Sequence, residues 1–196
     1  MTTHLGLQRI LLPSAQVSQL TTGSITLPSA RGAFAPSYYD SIATATPTGF
    51  SEVIFNSIPT GYQDLQIRGI VFNDSEAVLM TFNGDTGSNY VRNRFNGTST
   101  SKNASNQTGM SNIQITSMNR TPGATYGVAF VIDIGDYNST TRNKTVRAKS
   151  GLYDSTAGEI GLMGGLWLNT NAITSIRFQA TYFSGSHIAL YGIKGS

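Results

Sequence analysis

Two alternating apolar runs close this chain and restrict what it can fold into. Ile173-Thr-Ser-Ile-Arg-Phe-Gln-Ala-Thr-Tyr182 is followed directly by Phe183-Ser-Gly-Ser-His-Ile-Ala-Leu-Tyr-Gly-Ile193, with Ser184-Gly185-Ser186 as the turn signal. Period-two alternation with a turn and no helix-length periodicity is the signature of half-buried strands. A final strand so close to the last residue is expected to be tied into a sheet rather than trailing free.

The rest of the chain repeats that grammar. Ser51-Glu-Val-Ile-Phe55 runs to Ile58-Pro59 and a Thr60-Gly61 turn; Leu65 to Phe72 alternates and then becomes continuously apolar, as a central strand would. Ala77 to Phe82 ends at Asn83-Gly84-Asp85-Thr86-Gly87-Ser88-Asn89, and Tyr90 to Phe95 resumes beyond it, a hairpin signal with a longer loop. Gly97 to Ser111 is a polar tract and reads as a long exposed loop. Tyr126, Val128, Phe130, Ile132 and Ile134 fall on one face of the most regular strand. No convincing helix of three turns is present. These signals predict an all-β antiparallel sandwich or barrel of roughly eight to ten strands.

Residues 1–37 differ. Leu5, Leu7, Ile10, Leu11 and Leu12 cluster ahead of Pro13, and Pro and Gly then punctuate the segment without enough periodicity for its own core. The expectation is an extended N-terminal arm that docks those five aliphatic side chains on a partner, ahead of a body spanning 38–196. A disordered leader is the alternative.

Composition narrows the function classes. The 196 residues contain no cysteine, which removes disulfides, thiolate metal sites and cysteine nucleophiles. Charged residues are 12% of the total, about half the usual globular share, and hydrophobic residues are 39%. The net charge of +3 is thinly spread; Arg142, Lys144, Arg147 and Lys149 are its one concentration. With no interleaved aromatic row, they read as a solvated edge strand and not a nucleic-acid site. No run approaches the ~20 apolar residues of a membrane span, and MTTHLGLQRILL lacks the form of a signal peptide.

Read in order, several segments resemble a known family. They are Tyr39-Asp-Ser-Ile-Ala-Thr, Phe55-Asn-Ser-Ile-Pro-Thr-Gly-Tyr62, Leu65-Gln-Ile-Arg-Gly69, Phe82-Asn-Gly-Asp-Thr-Gly-Ser-Asn-Tyr90, Phe130 into Asp136-Tyr137, and Gly185-Ser-His-Ile-Ala-Leu-Tyr-Gly-Ile-Lys194. Together, over about residues 38–195, they resemble surface proteins of tailed-bacteriophage virions: capsid decoration, head fibre and tail fibre proteins. The resemblance implies a jelly-roll-like β-sandwich on the virion surface, commonly oligomeric, as a trimer or dimer. Its partners would be capsid or tail proteins. The arm lies outside the resemblance and would set the mounting point.

Chemistry is sparse. His187 with Ser184 and Asp136 is the nearest approach to a Ser-His-Asp set, and no Gly-x-Ser-x-Gly elbow supports it. The closest carboxylate pairs are Asp133 with Asp136 and Asp154 with Glu159, each read first as turn or capping residues. The expectation is no enzyme and no cofactor. Asn83, Asp85, Ser88 and Asn89 offer oxygen ligands to a hard cation, but one carboxylate without EF-hand order reads first as hairpin-turn chemistry. Trp167, Tyr90, Tyr137, Tyr153 and Tyr191 are the candidate stacking surfaces for a host-surface glycan, with core packing as the plainer reading of Trp167.

Overall fold

The computed structural model describes residues 38–49, 52–73, 77–116, 125–153 and 158–195; the arm expected over 1–37, with Leu5, Leu7, Ile10, Leu11 and Leu12, lies outside them. No helix occurs among the described residues, and none is therefore long and apolar enough to cross a membrane. The strands are β1 (Tyr39–Ala45), β2 (Glu52–Phe55), β3 (Asp64–Val71), β4 (Leu79–Phe82), β5 (Tyr90–Thr98), β6 (Lys102–Met110), β7 (Ile113–Gln114), β8 (Val128–Gly135), β9 (Lys144–Tyr153), β10 (Gly158–Trp167), β11 (Ile176–Gln179) and β12 (His187–Ile193).

All pair antiparallel in two sheets. The larger has the order β1-β12-β3-β8-β9-β10-β5-β6, the smaller β2-β11-β4-β7. Eight of these strands form nested pairs, β4 with β7 inside β3 with β8, inside β2 with β11, inside β1 with β12. A long hairpin rolled so that successive pairs alternate between two sheets is a jelly roll. The expected all-β sandwich is present, with twelve described strands rather than eight to ten.

The extra strands come from two inserted hairpins. β5 and β6 sit between β4 and β7 in sequence, β9 and β10 between β8 and β11, and the two hairpins join through β5 and β10. They carry the large sheet four strands past β8. The tract 97–111, expected as a loop, is the end of β5 and all of β6. Its Ser, Asn and Thr side chains hide strand propensity because neither face needs an apolar residue. The basic run corrects likewise: β9 lies between β8 and β10 and is no edge, because β10 shields it.

The core follows from the alternation. Leu65, Ile67, Val128, Phe130, Ile132 and Ile134 face inward from the large sheet and are buried. Phe178 of the small sheet meets Phe130 across the layers and Phe55 beside it, both with ring centroids 6.4 Å away. Gly165 allows β10 to pass over β7; a Cβ there would sit 2.8 Å from the Ile113 side chain. That close approach seats the extension on the roll.

Candidate functional site

The outward face of the large sheet carries a polar and aromatic cluster in which Arg68 and Tyr39 are exposed, Tyr191 is half-buried and Gln66 is buried beneath them. On β3 the inward Leu65 and Ile67 alternate with Gln66 and Arg68. Register sets Gln66 opposite Asp133 on β8 and opposite Tyr191 on β12, while Asp133 faces Arg147 on β9. The side chains link across three strands. Gln66 Nε2 donates to Asp133 Oδ1 at 2.7 Å, and Arg147 donates to Asp133 Oδ2 at 3.0 Å. Burial alone would raise the Asp133 pKa, but the bonds from Gln66 and Arg147 outweigh it and hold the carboxyl below its usual range.

Arg68 completes the cluster. Its Nε donates to Gln66 Oε1 at 2.7 Å, and its guanidinium lies 5.2 Å from the Tyr39 ring centroid and 5.5 Å from that of Tyr191. Two cation–π contacts and one hydrogen bond fix the plane while the outer edge of the guanidinium faces solvent. Beside it a recess of about 560 Å³ is bordered by Tyr39, Asp64, Gln66, Asp133, Thr145 and Arg147. Planar donors and acceptors next to accessible tyrosine rings are what sugar hydroxyls and sugar C–H faces bind. Farther out, Phe95 on β5 lies opposite Leu162 on β10, near Ile160 and Tyr153, all exposed.

Several residues expected at a site do other work. Asp85 Oδ2 accepts from Trp167 Nε1 at 2.7 Å and from Asn89 Nδ2 at 3.0 Å, and its Oδ1 accepts from Gly87 N at 2.9 Å. Asn83 Oδ1 accepts from the Thr174 and Ser175 amides. The loop's oxygens thus bind the β4–β5 turn to β10 and to the segment before β11. Asn89 presents its NH₂ group to Asp85, whereas a cation would require its oxygen. Among the described residues no three His, Cys, Asp or Glu side chains converge on a common point.

Trp167, Tyr90 and Tyr137 are buried, so none can stack on a ligand. Trp167 lies against Phe82 and Tyr90, at 5.5 and 6.4 Å between centroids. Burial pushes the Tyr90 phenol up to about 12; its hydroxyl donates to Asp85 O and accepts from Phe82 N. Tyr153 and Tyr191 alone of the five candidates reach the outward face. Tyr39, Gln66 and Arg68 were not anticipated as site residues. The alternation through Leu65-Gln-Ile-Arg68 was the available signal, since it puts both polar residues on the face opposite the core.

The nucleophilic set does not assemble. His187 pairs with Ile70, which pairs with Ala129; Asp136 lies seven residues farther along, about 23 Å away. Asp136 is in a turn at φ 53° and is salt-bridged to Arg142. Glu159 is buried and accepts from Asn96 Nδ2 at 2.7 Å, and Asp154 lies outside the described residues. Arg147 and Lys149 share the outward face, but Lys144 points inward, fully buried, donating to the Arg142 and Thr170 carbonyls.

Comparison of the chain with protein-family models, with curated proteins and with solved structures finds no match.

Proposed function

We propose that this chain is a non-catalytic structural protein of a tailed-bacteriophage virion surface, in which an N-terminal arm fastens an oligomeric jelly roll to the particle, most simply as capsid decoration. The observation that supports this best is the state of the acidic groups. Each of the seven described carboxylates is engaged in the fabric of the body: Asp40 with Lys194, Glu52 with Arg177, Asp64 with the Asp136 amide, Asp85 with Trp167, Asp133 with Arg147, Asp136 with Arg142 and Glu159 with Asn96. Carboxylates bound in this way brace strands and turns; general acid–base work would need a pair aimed into a cleft. The sequence resemblance and the five aliphatics of the arm supply the virion and the mount.

Particles assembled with the full chain and with a variant lacking residues 1–36 test the reading. The full chain should appear on imaged particles in a copy number that scales with capsid area, and the truncated form should fold but fail to join them. Equal incorporation of both would remove the arm from the mechanism. A small fixed copy number at the tail would move the mount.

One observation favours a second reading, a small tail-fibre or receptor-binding protein for host-surface glycans. The Tyr39, Tyr191, Gln66 and Arg68 cluster has the composition of a sugar subsite. On a glycan array the full chain would then bind, and Arg68→Ala would abolish the signal; no signal with the wild-type chain rejects this reading.

A further inference from the structure

The large sheet ends on one side at β6, and that edge differs from the other three in the sandwich. Among the described residues β6 pairs only with β5, and every residue from Lys102 to Gly109 is exposed. An unpaired edge of this length offers a row of free N–H and C=O groups, which proteins normally blunt with charge, proline, a bulge or a very short strand. The remaining edges follow that rule. β2 has four residues and β7 two, and β1 has a register shift between Ser41 and Ala43. β6 follows it only at its ends. Lys102 is its sole charge, and the irregularity lies beyond Gln107, where Gly109 takes φ 65°. From Lys102 to Gln107 the pairing with β5 is unbroken, and the intervening residues are Asn103, Ala104, Ser105 and Asn106.

We propose that this edge pairs with the same edge of a second copy, antiparallel, about a two-fold axis through Ser105. An axis perpendicular to the sheet keeps outward residues outward, so partners must have equal parity. Ser105 then faces its own copy, Ala104 faces Asn106, and Asn103 faces Gln107. Amides and hydroxyls each donate and accept, so Ser105 with its copy and Asn103 with Gln107 satisfy one another, while Ala104 leaves room beside the solvated Asn106. The arrangement also separates the charges: Lys102 lies opposite Thr108, six residues from the other Lys102, or about 20 Å. Parallel in-register pairing would set lysine beside lysine. An antiparallel copy of the edge is thus matched in charge, chemistry and face, and the sheet would continue through sixteen strands.

The proposal specifies the contact behind the oligomeric part of the reading above, and it is independent of the virion mount. Light scattering after size exclusion, over a range of concentrations of the full chain, should give twice the chain mass. Ser105→Lys places two ammonium groups face to face and should weaken self-association by about a hundredfold. Ser105→Asp should do the same, and an equal mixture of the two variants should recover the doubled mass. Position 105 is exposed, so each variant should melt as the wild-type monomer does. A wild-type chain that stays monomeric, a trimeric mass, or a doubled mass unchanged in Ser105→Lys would overturn the proposal. A dimer that never joins particles would keep this edge and reject the mount; particle incorporation by a monomer would do the reverse.

Discussion

The nested roll and the four-strand extension share one sheet and one core, yet they differ in what they bury. In the roll, β3, β8, β11 and β12 send Leu65, Ile67, Phe130, Ile132, Phe178, Ile188 and Leu190 into a layer closed by the second sheet. In the extension, Tyr90, Val146, Ala148, Leu152, Met163 and Trp167 join that core, but Asn96, Ser150, Glu159 and Lys144 are buried among them, while Phe95, Ile160 and Leu162 are exposed on the outward face. Two of those buried polar atoms, Asn96 Oδ1 and Ser150 Oγ, have no protein hydrogen-bond partner. Apolar burial therefore dominates the roll, whereas the extension adds a smaller apolar contribution, interrupted by buried polar groups, to strand pairing with β8 and the Trp167 anchor. The roll carries the apolar core and the Arg68 cluster, and the extension carries the exposed apolar patch and the long free edge of β6.

The largest expected effect lies in the roll. Phe178→Ala removes the ring between Phe55 and Phe130 and should cost about 3–5 kcal/mol in a urea titration. A loss under about 1 kcal/mol would mean that the roll is not where stability resides. Next is the anchor. Asp85→Asn replaces the carboxylate that accepts from Trp167, Asn89 and Gly87 and should cost about 1–2 kcal/mol at neutral pH.

The anchor also predicts a pH dependence. Burial raises the Asp85 pKa, but the bonds from Trp167, Asn89 and Gly87 leave it below the ordinary carboxyl value. A folded-state pKa below the unfolded one gives stability that is present above about pH 4 and is lost as pH falls through the folded value. The gap between wild type and Asp85→Asn should thus narrow on acidification; a gap that widens as pH falls would break the argument. The smallest effect is in the extension. Ser150→Ala deletes a buried hydroxyl without a partner and should leave stability unchanged or raise it by less than about 1 kcal/mol. A clear loss would show that Ser150 supports the extension.

The roll was legible in the sequence because its strands bury one face, and burial writes itself as alternation through Tyr126–Ile134 and Ile173–Ile193. The order of its strands was implied only by resemblance, since pairing between β1 and β12 joins segments that share no local signal. The extension was largely hidden. β6 buries neither face, so nothing in Lys102-Asn-Ala-Ser-Asn-Gln-Thr selects strand over loop. β9 looked like an edge because its lysine and arginine gave no sign that β10 covers its free side. Trp167 and Tyr90 were ambiguous for a related reason: an aromatic flanked by leucines or turn residues suits a core or a platform equally, and only the position of Asp85 decides. The outward cluster around Arg68 needed the register, because Gln66, Asp133 and Arg147 meet across strands distant in sequence.

The outermost nested pair sets Tyr39 directly across from Ile193, so the described body starts and finishes side by side. Whatever is joined to either extremity must depart from that flank, seven strand spacings or about 34 Å from β6. Fluorophores attached at Tyr39 and at Lys194 would sit on the same shoulder of the described body.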